Sequence, residues 1–163
     1  MNLKYLYTLI VGLFVFQTAT AQRKGYWQQT VDYKMNIDVN EKTYQYDGNM
    51  QLKYSNNSGQ SLKKVYFHLY FNAFQPGSMM DNRLANIADP DKRMTTNLGT
   101  KDKPKYQSRI ATLTAKQIGY QKIKSLTMNG NNTNFKVDGT ILEVTLPNEI
   151  EDGETATFEM NWE

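Results

Sequence analysis

Cysteine is absent from all 163 residues, and histidine occurs once, at His68. The first absence excludes a disulfide framework, a thiolate metal site and a lipid anchor on cysteine. The second makes a zinc site improbable, because zinc takes three or four ligands from His, Cys, Asp and Glu. His68 would need at least two carboxylates beside it, and its strand neighbours are tyrosines. An excess of charge of one sign is missing too. Nineteen Lys and Arg stand against 16 Asp and Glu, interleaved along the chain and clustered only in "KDKPK" (Lys101–Lys105). A nucleic-acid partner requires a continuous basic face, so none is expected. There is no run long enough to span a bilayer, which takes roughly 18 or more apolar residues.

The apolar run that does occur, Tyr5 to Phe16, has 12 residues, follows Lys4 and precedes "TATA". A basic start, a short apolar core and Ala19 and Ala21 at A-x-A spacing make a secretory signal peptide over residues 1–21, cleaved before Gln22. The protein is therefore expected to be exported, to the periplasm or the medium, with no membrane span after cleavage. The mature chain, 22–163, has 142 residues and a net charge of +2 once Lys4 is removed. That length suits one domain with its own core.

Period two dominates the mature chain. Val31, Tyr33, Met35, Ile37 and Val39 alternate with polar residues, "NEK" (Asn40–Lys42) turns, and Tyr44, Tyr46, Met50, Leu52 and Tyr54 resume the alternation. These runs predict a long antiparallel hairpin. Gly48 falls on the apolar face, which predicts a bulge or a close backbone approach. "NNSG" (Asn56–Gly59) closes the second strand. In "VYFHLYFNAFQP" (Val65–Pro76), Val65, Phe67, Leu69, Phe71 and Ala73 take one face. Tyr66, His68, Tyr70, Asn72 and Phe74 take the other, so the alternation predicts one strand through Phe74. Later strands are expected over Ile123–Met128, around Phe135 and Val137, over Leu142–Leu146 and over Phe158–Trp162. Their Asn-Gly, Asp-Gly and "EDGE" turns suit an antiparallel sheet protein. Between them, Gln75–Tyr106 loses periodicity, although Met80, Leu84 and Ile87 have helical spacing.

The fold class is thus all-β, an antiparallel sandwich or saddle with one long irregular loop. Because Glu163 directly follows a strand residue, 22–163 is expected to be the front part of a longer protein, its domain truncated at the C-terminal end.

Catalytic motifs are missing. A nucleophilic Ser or Thr needs a positioned base, and His68 has no partner motif. Asp81, Asp89 and Asp91 lie close in sequence, but Lys92 and Arg93 stand where a calcium loop would place oxygen ligands. Ion pairs within the loop are expected instead. Asn56-Asn57-Ser58 and Asn131-Asn132-Thr133 match the glycosylation acceptor pattern within turn sequences. No catalytic, cofactor-binding or metal-binding residue is assigned.

The segment "WQQTVDYKMNIDVNEKTYQYDGNMQLKYSNNSGQSLKKVYFHLYFNAFQPGS" (Trp27–Ser78) resembles the start of exported bacterial aminopeptidase N-like (gluzincin) zinc metallopeptidases. "MNG", "GTILEVTLP" and "EDGETATFEMNW" resemble the second half of the same domain, and "YFHLYFNAFQPGS" is the most specific stretch. The resemblance implies an N-terminal β-saddle that packs against a downstream catalytic domain, covering and shaping its active-site cleft. It also implies that zinc, the H-E-x-x-H motif and peptide hydrolysis belong to that downstream domain, with peptide as the parent's substrate. No cofactor is implied for this chain, since His68 is followed by Leu69 and not by Glu. The alternative is an exported β-sandwich module that binds glycan or peptide through its tyrosine-rich face.

Overall fold

A computed structural model describes residues 28–88 and 90–163. The expected signal peptide and Asp89 lie outside the described residues. Alternation produces the first hairpin: β1 (Thr30–Asn40) pairs with β2 (Gln45–Ser55) without interruption, from Thr30↔Ser55 to Asn40↔Gln45. Asn40 closes the turn, its Oδ1 accepting the backbone N–H groups of Lys42 (3.0 Å) and Thr43 (3.3 Å). Asn favours turns because its short amide can take over backbone hydrogen bonds.

The chain then alternates between this sheet and a second one. β3 (Leu62–His68), β8 (Asn134–Asp138) and β9 (Ile141–Ile150) form a three-stranded sheet in the order β3-β9-β8. β6 (Ile123–Met128), β7 (Asn131–Asn132) and β10 (Thr155–Trp162) extend the hairpin into a five-stranded sheet, β1-β2-β10-β6-β7. All pairings are antiparallel. The inward rows of the two sheets make one core. Met50, Leu52, Leu126, Met128, Phe158, Met160 and Trp162 come from the larger sheet, and Leu142, Val144, Leu146 and Ile150 from the smaller. Phe67 meets Phe158 edge-on at 6.0 Å between ring centres, the geometry that aromatic quadrupoles favour. The expected antiparallel, all-β architecture is what forms.

One expectation of detail fails, and that for Gly48 resolves to the second of its two alternatives. The strand predicted through Phe74 ends at His68, and Tyr70–Phe74 is a 3-10 helix. Leu69 turns the chain (φ −103°, ψ 77°), and the Asn72 N–H bonds back to the Leu69 carbonyl at 3.1 Å. Asn72 then pins the elbow: its Nδ2 donates to the Gly139 carbonyl (3.1 Å) and its Oδ1 accepts from the Gln121 N–H (2.7 Å). These distant partners outweigh the local alternation. Gly48 makes no bulge, because the β1–β2 register is continuous through it. It serves close approach: a Cβ there would lie 2.3 Å from Cζ2 of Trp162.

The long loop contains regular structure. α1 (Met79–Asn86) occupies the stretch with helical spacing. The Ser78 Oγ accepts the Asp81 N–H (3.1 Å) and the Asp81 carboxylate accepts the Gly77 N–H (2.7 Å), a reciprocal N-terminal cap. β4 (Thr95–Asn97) and β5 (Tyr106–Ser108) add a small hairpin beside it.

Candidate functional site

At its β1 edge the five-stranded sheet extends beyond the cover of the sheet packed on it. β2, β10 and β6 are covered, whereas the inward row of β1 is not. Met35 is 45% exposed and Val39 68%, while Met50, the partner of Met35 across the hairpin, is only 8% exposed. Five apolar side chains on one strand face, left open together, form a patch of the kind that marks an interaction surface.

This face forms the floor of an open groove of about 640 Å³. β1 supplies Tyr33, Met35, Ile37 and Val39, and the wall runs along β3 and the elbow from Tyr66 to Phe71. Trp162 and Met160 also line it. The indole Nε1 of Trp162 is buried with no hydrogen-bond partner among the described residues. The elbow shapes the wall: because the chain leaves the strand at Leu69, which is itself buried, Phe71 turns to meet Tyr46 at 5.4 Å. Burial raises the pKa of the Tyr46 phenol above its ordinary value.

His68 lies on the rim, exposed, its ring stacked on Tyr70 at 5.3 Å and 14°. The wall therefore brings together Tyr66, His68 and Tyr70, the outward residues singled out in the sequence. No hydrogen bond across the sheet holds the imidazole among the described residues. Of the loop aspartates, Asp81 and Asp91 are engaged separately, in a cap and an ion pair. Asp81 caps α1, Asp89 lies outside the described residues, and Asp91 pairs with Arg93 at 2.7 Å. The Arg93 guanidinium holds the Asp91 carboxyl well below the usual carboxylate range, at about 2.

The two acceptor-pattern asparagines differ sharply. Asn56 is fully buried, and its Nδ2 donates to the carbonyls of Gln60 (2.7 Å) and Ile150 (2.8 Å). Its Oδ1 takes the Ser58 hydroxyl and N–H. That amide is a structural hub closing the end of the sandwich, with no nitrogen open to a sugar. Asn131 is exposed on β7.

Among the described residues, no three His, Cys, Asp or Glu side chains cluster to hold a metal, so the side chains present do not fit zinc. No described helix is long and apolar enough to cross a membrane. What the arrangement offers chemically is apolar contact and an open sheet edge. Sequence reasoning missed it because alternation marks an apolar face without saying whether a second sheet covers it.

No protein-family profile matches this chain, and no curated protein matches it. Among solved structures, a two-domain M1 zinc metallopeptidase, crystallised as a mutant bound to L-tryptophan, is similar over 85% of this chain. The likeness has 12% sequence identity and a TM-score of 0.46, and it takes in 21% of that protein's length. It is a loose likeness of fold.

Proposed function

We propose that this chain is a non-catalytic β-domain of an exported zinc metallo-aminopeptidase-like hydrolase, and that it packs against the catalytic domain and shapes the cleft. The observation that carries the reading is the uncovered apolar row of β1, a face with the composition of a core and the exposure of a surface. Such a face gains about 25 cal/mol for each Å² of apolar area that a partner removes from water. The antiparallel saddle and the resemblance of Trp27–Ser78 to the peptidase N-terminus support the same reading. Zinc, the general base and the scissile peptide belong to the partner domain, because the described residues offer no ligand set for the metal. The test is the native protein isolated from its host. The expected result is a polypeptide continuing beyond Glu163 with an H-E-x-x-H motif, one zinc per chain and aminopeptidase activity. A native polypeptide that ends at Glu163 and carries no zinc would sink the proposal.

The exposed rim of Tyr66 and the stacked His68–Tyr70 pair favours a second reading, a glycan- or peptide-binding module. Sugars stack on such flat rings. Titration with oligosaccharides, followed by tyrosine fluorescence, separates the two. Saturable quenching that Tyr70→Ala abolishes favours the module, and an unchanged signal favours the docking domain.

A further inference from the structure

The groove says more about its occupant than that it is apolar. Among the described residues β3 is the edge of its sheet, hydrogen-bonded to β9 on one side only. Side chains from both faces of β3, Tyr66 and His68 outward and Phe67 inward, border the same groove. That is possible only where the open lateral edge of the strand gives onto it. The phase of the ladder fixes which backbone groups are open. The Leu69 N–H donates to the Thr140 carbonyl at 2.7 Å, so Phe67 and Val65, in phase with Leu69, also point their N–H and C=O at β9. In an antiparallel pair these groups alternate, which leaves those of Tyr66 and His68 directed away from β9.

Opposite that edge lies the inward row of β1. Its repeat is that of a strand, about 6.8 Å between alternate residues. At this edge the uncovered part of the five-stranded sheet is one strand wide, because Met50 and Leu52 on the neighbouring β2 are buried while the β1 row is exposed. Charge complementarity narrows the choice. Among the described residues no Asp, Glu, Lys or Arg lines the groove, so the inward row of an occupant must be uncharged, since a buried unpaired charge is costly.

We infer that the groove takes an extended polypeptide strand. It pairs with the free backbone of Tyr66 and His68 and lays a row of uncharged apolar side chains on Tyr33, Met35, Ile37 and Val39. Strand addition of this kind draws affinity from main-chain hydrogen bonds and specificity from alternate side chains. The inference deepens the docking reading by naming the shape of the partner segment, and it stands whether or not that partner binds zinc.

The probe is a fluorescent, end-capped octapeptide of alternating valine and threonine, compared with an isomer carrying its valines and threonines in two blocks. Anisotropy is expected to saturate with the alternating peptide and not with the block isomer. At saturation, amide hydrogen exchange should slow at Tyr66 and His68. Tyr66→Pro removes an N–H that β9 does not use and should abolish binding. Ile37→Lys should weaken it about tenfold or more, equivalent to roughly 1.4 kcal/mol. The exchange measurement uses the unmodified protein, so it decides the matter even where a variant fails to fold. Equal binding of the block isomer, no saturable binding, or unchanged exchange at Tyr66 and His68 would each overturn the inference. Protection of those amides that rises with protein concentration and needs no peptide would also overturn it, because the occupant would then be a second copy. Loss of the zinc-peptidase reading through a metal-free native protein leaves these outcomes unaffected.

Discussion

Gly48 and Trp162 show how one residue sets a local geometry. The two pair across β2 and β10, and the indole lies where a side chain at 48 would stand. A Gly48→Ala substitution therefore forces the ring or the strand to move, and overpacking of this kind costs about 1–3 kcal/mol. Urea unfolding should register that loss. In Trp162→Leu the obstruction is gone, so adding Gly48→Ala there should cost clearly less than in the parent, a coupling that a double-mutant cycle measures directly. Additive costs would mean that the contact is not the cause. Asp91 offers a second test at this scale. Its folded pKa is depressed, first by the side-chain hydrogen bond from Arg93, so the pairing favours the folded turn above about pH 4 and is lost as the pH falls through about 2. Titration by NMR should place Asp91 near 2, and Arg93→Gln should raise it only part of the way to the free value of about 3.9, because the backbone N–H of residue 93 still donates to the carboxylate. An unchanged midpoint in that variant would contradict the pairing. Gly48 could be singled out in the sequence, since a glycine in register on an apolar face needs a reason. The reason itself could not, because the indole arrives from the last strand of the chain.

Among the elements, strands were more legible than their ends. The β1–β2 hairpin, β6, β9 and β10 follow from alternation bounded by Asn, Asp and Gly turns. β3 was overextended because the residues after His68 keep alternating in polarity while the backbone has already turned. Asn72 decides that turn through Gly139 and Gln121, two partners from the other end of the domain, and a window of neighbouring residues contains neither. The same limit hid the state of β1. Its pattern matches that of β10, yet Met160 is 3% exposed and Met35 45%. Stability data should separate these equivalent patterns. Ile37→Thr, on the open face, is expected to change unfolding free energy by no more than about 0.5 kcal/mol. Leu142→Ala, in a side chain with no exposed surface, should cost about 2–5 kcal/mol. Similar costs at the two positions would mean that β1 is covered.

At the scale of the molecule, the mismatch between a five-stranded and a three-stranded sheet connects fold to function. It leaves an apolar face and a free edge side by side, while ion pairs such as Lys124 with Asp47 and Glu163 lie at the surface elsewhere. The uncovered β1 face is the feature on which the docking proposal rests. Methionine oxidation tests the claim most directly. A thioether oxidises at a rate governed by exposure, and four methionines report on one molecule: Met79 at 90% exposed, Met35 at 45%, Met128 and Met160 at 3%. With peroxide on the isolated 22–163 chain, peptide mass spectrometry should find Met79 and Met35 converted to sulfoxide well before Met128 and Met160. In the native protein from its host, Met79 should remain reactive while Met35 becomes as slow as the core methionines. Equal reactivity of Met35 in both preparations would contradict the account.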